Sequence, residues 1–272
     1  MAIEQPYPAL DELLEMIGEA GQRLSEIDST EGAAGNISVY MGWELEPRRY
    51  FPHIEMIQLP TTVPTLAHKS FLVTGSGRRL REIIKEPTAH IGFVTINEGG
   101  TTAQLYKAAN CRFAHLTSEL NSHLAIHRDH LEDTNFHVVI HAQPPYLTYL
   151  SHVPAYRDDA YLNRHLLRWE PECIVHLPEG IGYIPFKVSG STAQEEATVA
   201  ALRQHRLVIW GKHGVVARSD SSVKRASDII EYAETGARYE YLNLVNQERG
   251  EGLTDAEIRE ICQVFHVQQN IF

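Results

Sequence analysis

The chain has 272 residues, 43% of them hydrophobic and 22% charged, an ordinary globular composition with length enough for one sizeable core. Its formal net charge of −11 excludes the broad basic surface that nucleic acid requires, while leaving room for a small anion in a local pocket. No apolar run approaches the ~20 residues of a membrane helix. Cys111, Cys173 and Cys262 are isolated and odd in number, against a disulfide framework or a cysteine zinc knuckle.

In chain order, MAIEQPYPAL has neither the basic nor the apolar region of a secretion signal, and a reducing cytoplasm is expected. Leu10, Leu13, Leu14, Ile17, Ala20, Leu24 and Ile27 recur at helical spacing and predict a helix over 9–27, ended by Ser29, Thr30 and Gly32. GNISVYM (35–41) reads as a glycine turn into a strand. Residues 43–68 hold four prolines and no period, which predicts a long irregular excursion. FLVT (71–74) is a short strand stopped by Gly75, Ser76 and Gly77. A short helix over 78–85 and strands near 93–96 and 103–106 follow.

The stretch 119–131 reads as a helix with Ser118 as its N-cap, and HVVIH (137–141) as a buried strand. Helices are expected over 146–152 and 158–168, a strand over 173–176, a helix over 190–205, and a strand at LVIW (207–210). Helices over 222–245 and 254–265 close the chain. No linker or repeat divides it, so 1–272 reads as one α/β domain, a mixed sheet flanked by helices. The strict β, α, β alternation and the GxGxxG turn of a dinucleotide fold are both missing.

Small-residue turns let backbone N–H groups converge on an anion. Gly35-Asn36, Gly75-Ser76-Gly77 and Thr117-Ser118 are suited to this, the last also by opening a helix whose N-terminus favours negative charge. For each of them alone, an ordinary turn or cap is the plainer reading. His141 ends a buried strand and His213 follows one, and two imidazoles on strand ends can share a metal and leave a position open. Structural histidines satisfied by hydrogen bonds are the plainer alternative. Glu119, His123 and His127, at i, i+4 and i+8, share one helix face, either as a site of their own or as a hydrogen-bonded stripe.

In order and spacing these segments resemble the class II aldolase/epimerase/adducin family, and within it the branch acting on rhamnulose 1-phosphate. The resemblance rests on TSELNSHLAIH (117–127), TGSG (74–77), AGNIS (34–38), WEPEC (169–173) before LPEGIGYIPF (177–186), and HGV (213–215). It implies a mixed, mostly antiparallel sheet flanked by helices, in a homotetramer with active sites at subunit interfaces. It also implies a phosphorylated ketose as substrate, bound Zn2+, and cleavage to dihydroxyacetone phosphate and lactaldehyde through an enediolate. Carried across, Glu119 is the acid/base, and His141 and His213 are two of three metal ligands. Gly35, Asn36, Gly75, Ser76, Thr117 and Ser118 form the phosphate cradle, and Glu172 is a second functional carboxylate.

One position departs from the pattern. Gln143 stands where the family has the second histidine of His-x-His, and an amide oxygen is a poorer ligand than imidazole for zinc. Gln143 binds through oxygen, or Glu119 stays on the metal as a further ligand, or the site is weakened. Other sugar-phosphate aldolases and epimerases, of fuculose or pentulose phosphates, share the scaffold, and so do non-catalytic adducin-like relatives.

Overall fold

A computed structural model of the protein describes residues 2–247 and 249–272. Its strands are β1 (Asn36–Met41), β2 (His53–Gln58), β3 (Ser70–Thr74), β4 (Ile91–Ile96), β5 (Thr102–Lys107), β6 (Phe136–Ala142), β7 (Ile181–Ile184), β8 (Leu207–Trp210) and β9 (Gly214–Ser219). Interleaved with them are α1 (Leu10–Glu26), α2 (Leu80–Ile83), α3 (Pro87–His90), α4 (Leu120–His130), α5 (Pro145–Leu150), α6 (Asp159–Leu166), α7 (Pro171–His176), α8 (Thr192–Leu202), α9 (Val223–Val245) and α10 (Asp255–Phe265). The strands make one sheet in the order β2-β5-β4-β3-β1-β6-β9-β8-β7, antiparallel throughout except for the parallel β7–β8 pair. The expected α/β architecture, a mostly antiparallel sheet flanked by helices, is the one observed.

Alternation along the central strands sorts residues to the two faces. Ile37, Val39 and Met41 of β1, with Val138 and Ile140 of β6, join the cluster that α1 and α9 cover. The intervening Asn36, Ser38 and Tyr40 and His137, Val139 and His141 turn to the other face, where α4 and α8 pack against each other. Register sets Asn36 opposite His141, Ser38 opposite Val139, and Tyr40 opposite His137. Polar side chains of β1 and β6 are thereby aimed at the buried side of α4.

Three expectations change. Residues 43–68 contain strand β2, hidden in the sequence because it is a sheet edge with no buried face. Residues 173–176 belong to helix α7, not to a strand: Pro171 at its start presets the helical φ and outweighs the β-branched Ile174 and Val175. Strands β7 and β9 had no separate forecast. Glu119, not Ser118, occupies the N-cap position of α4, and no side chain caps that helix.

Candidate active site

Three turns converge at the end of the sheet where β1 begins. Gly35 enters β1 with φ +86°, and a Cβ there would lie 3.0 Å from the His141 carbonyl oxygen, so only glycine combines the left-handed turn with this approach. At the end of β3, Gly75 bridges to Leu116, and a Cβ at 75 would lie 2.2 Å from Cγ of the Phe113 ring. Thr74 joins the pieces: its carbonyl accepts from Thr117 N–H at 3.1 Å and its hydroxyl from Ile37 N–H at 3.0 Å.

These turns wall a cleft of about 220 Å³. All six cradle residues expected from sequence line it, namely Gly35, Asn36, Gly75, Ser76, Thr117 and Ser118. So do Glu119, His141, Gln143 and His213. Among the described lining residues no lysine or arginine occurs, and the exposed hydroxyls of Ser76 and Ser118 open to solvent there. Glu172 lies elsewhere, on the exposed first turn of α7.

Glu119, His141 and His213 bring one ligand atom each to within 4.8 Å of one another. His141 Nε2 lies 3.7 Å from Glu119 Oε2, and His213 Nε2 lies 3.8 Å from Glu119 Oε1. His141 Nδ1 donates to the Val215 carbonyl at 2.9 Å, which leaves the Nε2 lone pair free for the cluster. His213 occupies the turn between β8 and β9, where its N–H donates to the Trp210 carbonyl and Lys212 takes φ +64°. Burial pushes its imidazole pKa down, with His141 acting the same way, and a neutral ring is the form that binds metal. Two imidazoles and a carboxylate are a donor set that suits zinc. Gln143 lines the same cleft, its backbone N–H held by the Ser29 carbonyl at 2.7 Å.

The carboxylate of Glu119 is buried yet held ionised. Burial raises its pKa, but His141, the Ser189 hydroxyl and the Asn36 amide together overcome that, and the net shift is downward. Asn36 Nδ2 donates to Oε2 at 2.8 Å, while Ser189 Oγ donates to Oε1. The Asn36 side chain is therefore engaged with Glu119, and its other end meets His123. The stripe Glu119, His123, His127 is a hydrogen-bonded one and not a second metal site.

Two residues went unforeseen. Ser189 sits in the exposed segment before α8, whose lack of period gives no sign that its hydroxyl meets a residue 70 positions away. Trp210 stacks on His213 at 5.3 Å between ring centroids and lies 4.8 Å from the His141 ring, and its indole N–H donates to Thr198 Oγ1 at 2.8 Å. It backs both imidazoles with a rigid wall.

The chain matches the family described as Class II Aldolase and Adducin N-terminal domain over residues 15–241. It is similar to a protein named rhamnulose-1-phosphate aldolase from Enterobacter sp. (strain 638), 32% identical over 66% of this chain and 65% of that one, just under two thirds of the relative's length. A protein of the same name from Listeria monocytogenes is 28% identical over 88% of this chain and 87% of its own. Among solved structures, a sugar-phosphate aldolase from Thermotoga maritima superposes with a TM-score of 0.74 at 24% identity, covering 89% of this chain and 98% of that one. An L-fuculose 1-phosphate aldolase gives 0.61 at 19% identity, covering 97% and 100%. The two structures share the fold.

Proposed function

Because the chain belongs to the class II aldolase and adducin family, we propose that it is a zinc-dependent aldolase that cleaves L-rhamnulose 1-phosphate to dihydroxyacetone phosphate and L-lactaldehyde. The observation that carries this reading is the Glu119, His141 and His213 cluster opening into a cleft lined by small residues and the exposed Ser76 and Ser118. The relatives named for this substrate support the choice of sugar.

His141 and His213 would hold a divalent ion, which would supply Lewis-acid stabilisation of charge on the ketose oxygens. Ser76 and Ser118 hold the phosphate without a formal charge, in a cleft that Gly35 and Gly75 shape, and so set where the reacting carbon lies. Glu119 moves the proton at that carbon, with its two oxygens fixed by Asn36 and Ser189. Gln143 serves as the third ligand through its oxygen, or Glu119 takes that place.

The working form is a cytoplasmic homotetramer with active sites at subunit interfaces, and Glu172 is a second functional carboxylate on the exposed first turn of α7. Among the described residues no helix is long and apolar enough to cross a membrane.

Gln143 is the one residue favouring a non-catalytic, adducin-like role. Metal analysis of the purified protein, with cleavage of L-rhamnulose 1-phosphate and L-fuculose 1-phosphate assayed with and without chelator, separates the readings. Near one zinc per chain and chelator-sensitive cleavage of the first sugar is the expected result. Preference for the second sugar would reassign the substrate. No metal and no cleavage of either would put the scaffold role first.

A further inference from the structure

Behind Glu119 the buried polar side chains between α4 and the sheet are in single file. Asn36 meets Glu119 at one end and His123 Nε2 at the other. His123 Nδ1 lies 2.6 Å from Ser38 Oγ, Ser38 Oγ 2.8 Å from His127 Nε2, and His127 Nδ1 2.9 Å from His137 Nδ1. His123, His127 and His137 are at most 1% exposed, and His137 Nε2 has no partner.

We propose that Asn36, His123, Ser38, His127 and His137 form a one-directional chain of hydrogen bonds ending on the Glu119 carboxylate, and that His123 is its positioning residue. Its effect on turnover rests on the aldolase reading, whereas its direction rests on geometry alone.

The direction follows link by link. A carboxylate only accepts, so Asn36 must turn its NH2 to Glu119 and its carbonyl to His123. A carbonyl only accepts, so His123 Nε2 carries the proton there. Neutral His123 then has a lone pair on Nδ1, which takes the single proton of Ser38. Ser38, its proton committed, accepts from His127 Nε2–H. The lone pair left on His127 Nδ1 accepts from His137 Nδ1–H. That leaves His137 Nε2 as a lone pair, which is the atom found without a partner, so the chain ends on an orphan acceptor and not an orphan donor. Burial accounts for the neutral rings: it brings His123 down to about 4 and holds His127 and His137 well below the usual histidine range.

Reversing the chain would change three tautomers, flip the Asn36 amide and press its carbonyl oxygen on the carboxylate. The fixed direction makes the Asn36 NH2 a permanent donor to Oε2, strengthened along a polarised file in a low-dielectric interior. It conducts no proton, because an amide in the path would have to ionise. The file positions; it does not relay.

Neutron diffraction from a deuterium-exchanged crystal of the whole protein reads the direction directly. Deuterons on His123 Nε2, His127 Nε2 and His137 Nδ1, with the deuterated Asn36 Nδ2 toward Glu119, are expected. A deuteron on His123 Nδ1, or on both its nitrogens, overturns the direction. Kinetics test the positioning role with a pair of variants. His123→Leu removes the donor to Asn36 and is expected to lower kcat for ketose 1-phosphate cleavage at least tenfold with KM within about threefold of wild type. His123→Gln keeps an N–H near the Nε2 position and is expected to recover most of that loss. Equal activity of the two variants overturns the positioning role. Should His123→Leu not fold, Ser38→Ala takes its place, and unchanged kcat there has the same force. A wild-type protein without cleavage activity sinks the aldolase reading and the positioning role with it, while the neutron result still decides the direction.

Discussion

His141 donates from Nδ1 to the Val215 carbonyl at 2.9 Å and keeps Nε2 aimed at Glu119 Oε2, 3.7 Å away. A backbone acceptor on the adjacent strand β9 thus sets the tautomer of a ring on β6, and the sheet itself orients the donor atom. His141→Ala and His213→Ala should each weaken zinc binding by more than the roughly 10–100-fold that loss of an outer partner costs. Equilibrium dialysis against a chelator buffer measures it, and unchanged affinity in either variant removes that residue from the ligand set.

Gln143→His should tighten zinc binding, since imidazole is the better donor for this metal and position 143 already lines the cleft. Competition with a colorimetric chelator gives the ratio of affinities. No gain would place the third ligand elsewhere, with Glu119 next in line.

Glu119→Gln preserves volume but removes the proton carrier and replaces one of its two acceptor oxygens by a donor. Turnover should fall by about 10²–10⁴-fold while far-UV circular dichroism stays the same. Activity near wild type would transfer the proton role to another group.

Ser189 is among the donors that hold the Glu119 pKa down against burial. Ser189→Ala removes that bond, so the Glu119 pKa rises. In the condensing direction a carboxylate must take the proton from dihydroxyacetone phosphate. The acid limb of the pH profile for solvent-deuterium exchange into that substrate should therefore move to higher pH. A limb that stays put, or moves down, contradicts the clamp.

Glu234 is buried on α9 and accepts the N–H groups of Tyr146 and Leu147 at 2.8 and 2.9 Å. Burial nevertheless pushes its carboxyl up to about 7. A folded-state pKa above the unfolded value means the native state binds the extra proton, so this group destabilises progressively as pH rises from about 4.5 to about 7. The difference in unfolding free energy between wild type and Glu234→Gln should shift by about 2–3 kcal/mol toward the variant between pH 5 and pH 7.5, read from urea midpoints. A pH-independent difference would mean that the carboxyl titrates normally.

Residues whose role depends on near neighbours were legible in the sequence. Helix α1 shows its buried face in Leu10, Leu13, Leu14 and Ile17, and β6 shows itself in the apolar Val138, Val139 and Ile140 between two histidines. The cleft was legible because glycine turns and strand-end histidines carry chemistry in their type and place. What stayed hidden depends on register. Nothing local reveals that Asn36, opposite His141, would turn its amide to Glu119, or that Ser189 would reach the same carboxylate. Edge strand β2 lacks a buried face to advertise it, and α7 is decided by Pro171 against the β-branched residues that follow.

Asn36, Glu119, His141, Ser189 and His213 come from five separate stretches that meet only when β1, β3, β6 and β9 are in register. A partly folded chain offers at most a fraction of those groups, so an ion or sugar phosphate that binds there selects the native state. Binding then adds to the unfolding free energy with the logarithm of one plus the ratio of free ligand to its dissociation constant. The supply of metal and substrate would govern how long each molecule survives proteolysis, as well as how fast it turns over.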